Sequence, residues 1–121
     1  MPIKNILIVD DSATDRQYLS DLLAKNGFKV ATAENAEEGL AKAKQLLPDL
    51  VLMDVVMPGQ NGFQATRTMS KDQSTKQIPI IICTSKAQET DKLWGMRQGA
   101  RDYIVKPVNV PELLAKISAL G

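Results

Sequence analysis

The chain has 121 residues, 44% hydrophobic and 24% charged, with a formal net charge of +1. That length supports one domain with a core of its own, and the near-neutral charge excludes the strongly basic footprint of a general nucleic-acid binder. Histidine is absent and Cys83 is the one cysteine, which removes Ser-His nucleophile pairs, His-ligated metals, a phosphohistidine on this chain and any internal disulfide.

Met1-Pro2-Ile3-Lys4 leads straight into the apolar run Asn5-Ile6-Leu7-Ile8-Val9, so a first strand is expected and a signal peptide is not. Asp10 and Asp11 follow that strand. Ser12 then reads as a helix N-cap with Asp15 three residues on, and Tyr18, Leu19, Leu22 and Leu23 form an apolar stripe closed by Gly27. A second strand is expected over Phe28 to Thr32. Asn35 caps a helix with Glu38 at its third position and apolar Ala36, Leu40, Ala43 and Leu47, and Pro48 stops it. Leu50 to Met53 reads as a third strand ending at Asp54, Met57-Pro58-Gly59 as a turn, and about Gly62 to Met69 as a third helix. Residues 70–75 are polar and loop-like. Ile80 to Cys83 is a fourth strand running into Thr84-Ser85, where Cys83 reads as buried packing in a reducing compartment. A helix is expected from about Lys86 to Gln98, closed by Gly99. A short strand follows over about Asp102 to Val105, ending at Lys106-Pro107. The last helix starts near Asn109, with Glu112 at its third position. No run approaches the ~20 apolar residues of a membrane-crossing helix.

Five strand-helix units without a linker or repeat predict an α/β fold with a doubly wound five-stranded parallel sheet, strand order 2-1-3-4-5. Ligands of such sheets bind beyond the carboxyl ends of the strands, at the switch point between strands 1 and 3. Asp10, Asp11 and Asp54 all fall there. Three carboxylates at one cleft suit a hard divalent cation, and an oxygen-only set completed by water favours Mg²⁺. A carboxylate can also accept a phosphoryl group as an acyl phosphate, with metal and ammonium charge stabilising the transferring oxygens. Lys106 offers the ammonium and Thr84 a hydroxyl donor.

Taken together, Val9-Asp10-Asp11-Ser12, Met53-Asp54-Val55-Val56-Met57-Pro58-Gly59, Thr84-Ser85 and Lys106-Pro107, in that order, resemble the CheY-like receiver domains of two-component response regulators over essentially the whole chain. The resemblance implies that Asp54 is the phosphoacceptor and that Asp10 and Asp11 bind Mg²⁺ beside it, with the backbone carbonyl of Val56 as a further ligand. It implies that Thr84 is the switch hydroxyl, Lys106 the phosphate-sensing lysine and Tyr103 the aromatic switch. The stretches 54–67, 88–95 and 97–103 are similar to the regulators of type IV pili and twitching motility. The function so implied is a stand-alone cytoplasmic receiver without an output domain, spanning residues 1–121. A chemotaxis-like histidine kinase phosphorylates it, and it signals by protein contact through the face of the fourth helix, fifth strand and fifth helix. No nucleic acid or membrane partner is expected, and a monomer is.

Other readings stand beside these. An aspartyl-phosphate phosphohydrolase of similar fold usually carries a second acid two residues after its nucleophile, where this chain has Val56. A phosphate sink in another chemotaxis-like pathway fits the same motifs. Tyr103 suits a core or edge tyrosine nearly as well as a switch. Trp94 reads first as packing against the sheet and second as partner-facing. Gly95, which weakens its helix by ~1 kcal/mol, serves either a helix shift or close packing. Lys86, Lys92, Arg97 and Arg101 read as a solvated face, and Met53 and Met57 as packing.

Overall fold

The computed structural model describes residues 2–57, 59 and 61–121. In chain order it runs β1 (Asn5–Val9), α1 (Ala13–Lys25), β2 (Lys29–Ala33), α2 (Ala36–Leu46), β3 (Leu50–Met53), α3 (Gly62–Lys71), β4 (Ile80–Thr84), α4 (Glu89–Arg97), β5 (Asp102–Val105) and α5 (Val110–Leu120). All strand pairs are parallel and the order is β2-β1-β3-β4-β5, the doubly wound topology expected.

The central strands β1, β3 and β4 read as apolar runs because both sheet faces are covered there. Leu7, Val9, Val51, Met53 and Ile80 pack with Ala36 and Ala43 of α2 and Ala65 and Met69 of α3. Ile6, Ile8, Leu50, Leu52, Ile81 and Ile104 face the other way, onto Leu19 and Leu23 of α1 and Leu113 and Ile117 of α5. Cys83 lies in that second layer, and burial pushes its thiol up to about 12, so it is an inert packing residue at neutral pH. The expected caps form: the side chains of Ser12, Asn35 and Asn109 each accept from the backbone N–H three residues on, and Asn61 caps the third helix in the same way.

Five local expectations change. Strand β2 begins and ends one residue later than expected. Tyr18 is exposed on α1, so the apolar stripe there narrows to Leu19, Leu22 and Leu23. Leu47 leaves α2 in the left-handed region at φ 47° and is exposed, so Pro48 stops a helix that has already ended. The helix expected from Lys86 begins only at Glu89, because the Gln88 N–H donates to Asp91 Oδ2 at 3.3 Å and fixes the start there. The polar segment 70–75 is part helix, since α3 continues through Lys71, and Thr75 is buried with its hydroxyl donating to the Met69 carbonyl. Pro58, within the expected turn, lies outside the described residues.

Candidate functional site

Sheet register builds the site. Val9 of β1 pairs with Met53 of β3, so the next residues, Asp10 and Asp54, leave the sheet side by side. The Asp54 N–H donates to the Val9 carbonyl at 2.9 Å, extending the ladder by one step. Each acid is then fixed by its own loop. The Ser12 N–H donates to Asp10 Oδ1 at 2.9 Å, and the Val56 N–H to Asp54 Oδ1 at 3.1 Å. Both are turns in which a carboxylate accepts from the amide two residues on. Asp10 and Asp54 are buried and Asp11 is exposed. One carboxylate oxygen from each of the three lies within 4.8 Å of the others.

Lys106 enters from β5, where its N–H donates to the Thr84 carbonyl at 2.8 Å. Strands stand about 4.8 Å apart, so β5 lies about 10 Å from β3 and only a long side chain can cross β4. The Lys106 ammonium does so, reaching Asp10 Oδ2 at 2.7 Å, Asp15 Oδ2 at 2.8 Å and Asp54 Oδ2 at 3.1 Å. Burial works against the charged Lys106. The hydrogen bonds to Asp10 and Asp15 and the charge of Asp54 outweigh it and leave its pKa raised. Burial raises the Asp10 pKa, and its bonds to Lys106 and the Ser12 amide offset that only in part. The Lys106-Pro107 peptide bond is cis.

Thr84 ends β4 as a fully buried residue whose Oγ1 has no hydrogen-bond partner among the described residues. A hydroxyl shut away in that state carries an uncompensated desolvation cost. Tyr103 is also buried. Its hydroxyl donates to the Lys86 carbonyl at 2.8 Å, and burial pushes it up to about 12. Gly95 of α4 lies directly over this ring. A Cβ there would meet Ile82 Cδ1 at 2.7 Å and Tyr103 Cε2 at 3.2 Å, so close packing accounts for the glycine. Trp94 is half exposed on the outer side of α4 with Leu93 and Met96, which corrects the expectation that it packs on the sheet. Lys86 and Lys92 hold ion pairs with Asp91 and Glu89, on a solvated face as expected. Met53 and Met57 are buried in the core, as expected.

Three residues emerge that the sequence pattern did not single out for the site. Asp15, taken as a helix-start acid, turns its carboxylate to Lys106. Its spacing of four from Asp11 along the start of α1 was the available signal. Arg16 donates from Nη1 to the Asp10 carbonyl at 2.8 Å and bridges to Glu34 at 3.5 Å, bracing the loop from behind. Gly62 begins α3 so close to the phosphoacceptor-candidate backbone that a Cβ would stand 2.0 Å from the Asp54 carbonyl oxygen.

An oxygen-only donor set on three carboxylates, with a positive charge already drawn into it, fits Mg²⁺ and offers nothing to a soft metal. The matched sequence family is the response regulator receiver domain, over residues 6–118, and the chain belongs to it. PilH of Pseudomonas aeruginosa is 58% identical over 115 residues, covering 95% of each chain. The phosphate regulon transcriptional regulatory protein PhoB of the same organism is 39% identical over 117 residues, and there this chain spans 51% of the relative's length. Among solved structures, the Vibrio cholerae chemotaxis protein CheY4 superposes with a TM-score of 0.91 at 33% identity, covering 98% of this chain and 99% of that one. A putative response regulator from Chloroflexus aurantiacus gives 0.92 at 32% identity, covering 99% and 98%.

Proposed function

We propose that this chain is a receiver switch phosphorylated on Asp54 by a histidine kinase. The observation that supports it best is the convergence of Asp10, Asp11 and Asp54 beneath one lysine. In the transfer, an Asp54 carboxylate oxygen attacks phosphorus and forms the new P–O bond. The P–N bond to the donor imidazole breaks, and the nitrogen keeps the electron pair and takes up a proton from water. Asp10, Asp11, Asp54 and the Val56 carbonyl would hold Mg²⁺, which when bound would neutralise charge on the phosphoryl oxygens. Lys106 supplies the second positive charge and Thr84 the hydroxyl that a phosphoryl oxygen satisfies. Tyr103 relays the change to the face of α4, β5 and α5, where a protein partner reads it. Among the described residues no helix is long and apolar enough to cross a membrane, in keeping with a cytoplasmic switch.

The kinship with PilH extends the reading to type IV pilus and twitching-motility control, with a chemotaxis-like kinase upstream, a monomeric receiver and output by protein contact. An aspartyl-phosphate phosphohydrolase fits less well, because exposed Val56 stands where such enzymes carry their second acid.

The test uses a labelled small phosphodonor with Mg²⁺. Wild type takes up label and Asp54→Asn does not, while both unfold at similar temperatures. Comparable labelling of Asp54→Asn at another residue overturns the assignment. Mg²⁺ titration by calorimetry shows modest affinity in wild type and a loss in Asp11→Ala.

A further inference from the structure

The ammonium of Lys106 has three N–H donors and three carboxylate acceptors. Two acceptors, Asp10 and Asp54, belong to the group whose oxygens converge within 4.8 Å, and the third, Asp15, does not. A cation entering that group competes with Lys106 for Asp10 and Asp54 and leaves the bond to Asp15 untouched. Asp15 is suited to that part. It sits in the first turn of α1, where its N–H donates to Ser12 Oγ at 3.2 Å, so it is tied to the loop that carries Asp10 and Asp11. Among the described residues Lys106 is the one ion-pair partner of its carboxylate. The Lys106 side chain is only 15% exposed, so an ammonium stripped of every acceptor there is costly.

We propose that Asp15 is a positioning residue for Lys106: it holds the ammonium at the mouth of the cleft while Mg²⁺ takes Asp10 and Asp54. Lys106 thereby moves aside without losing its last acceptor and stays within reach of Asp54. This rests on the reading of Asp10, Asp11 and Asp54 as the Mg²⁺ site.

The experiment is a double-mutant cycle on the unphosphorylated chain, with Mg²⁺ affinity measured by calorimetry and folding checked by thermal melts. Asp15→Asn weakens Mg²⁺ binding by about threefold or more when Lys106 is present, the scale of a partly exposed ion pair, and Asp15→Glu restores it. In a Lys106→Ala background, or Lys106→Met if alanine does not fold, the same change shifts affinity by less than about 1.5-fold, within the low end of such pairs. An equal fall in both backgrounds shows that Asp15 acts by its charge on the metal alone and overturns the proposal. So does unchanged or tighter binding in Asp15→Asn. Wild type that binds no Mg²⁺, or an Asp11→Ala variant that binds it normally, instead overturns the metal site beneath the proposal.

Discussion

Asp49 and Asp10 stand at opposite edges of the same sheet, and their surroundings differ in kind. Asp49 precedes β3 at the amino edge. Its Oδ2 accepts from the backbone N–H groups of Lys4 and Asn5, each at 2.9 Å. Those bonds, from Asn5 first and then Lys4, hold its carboxyl below the usual carboxylate value of 3.8. Asp10 follows β1 at the carboxyl edge, buried against another acid, and its pKa moves the other way. The amino edge spends one carboxylate tying the start of β1 to β3. The carboxyl edge crowds like charges that only a lysine and a metal can compensate. Such crowding is the mark of a site held for chemistry rather than stability.

The contrast is broken most forcefully at Lys106. Lys106→Ala leaves Asp10, with its side chain 2% exposed, without its cation and lowers stability by about 3 kcal/mol. Denaturant melts with and without Mg²⁺ check this, and the cation restores part of the loss. A smaller effect is expected at the other edge. Asp49→Ala costs about 1.5 kcal/mol through two lost charge-assisted bonds, leaves labelling of Asp54 intact, and its deficit does not respond to Mg²⁺. Because folding lowers the Asp49 pKa, its contribution is present above pH 3.8 and is lost as pH falls through the lower folded value. Wild-type and Asp49→Ala stabilities therefore converge in acid.

Two finer effects sharpen the picture of the carboxyl edge. Val56 and Lys86 stand two places beyond Asp54 and Thr84, and an apolar side chain and a lysine paired with Asp91 offer no acceptor to orient a hydrolytic water. Val56→Asn and Lys86→Glu each shorten the phosphoryl lifetime by roughly threefold, about 0.7 kcal/mol in the barrier. Decay of labelled protein at fixed Mg²⁺ measures this, and a long wild-type lifetime favours signalling over phosphate drainage. Least of all, the Tyr103 phenol, isolated as the difference between wild type and Tyr103→Phe, titrates by absorbance at about 12 instead of 10.0. Folding raises this pKa, so the stability it contributes is fully present below pH 10.0 and fades as pH climbs towards 12.

The sequence by itself determined the strand order, the caps and the residues from Asp10 to Lys106 that meet at one edge. Unbroken apolar runs between amphipathic segments admit few other topologies, and each run ends at the polar residue that the register then aligns. Tertiary structure decided the rest, because it depends on which neighbours are near. Helical period placed Tyr18 on a packed face, and Trp94 reads first as packing against the sheet. The sheet surface is instead filled by Gly95 over Tyr103 and by Leu19 and Leu23, leaving both aromatics outside. Asp15 reads locally as a helix-start acid, and only a lysine arriving from β5, 91 residues away, draws its carboxylate into the site.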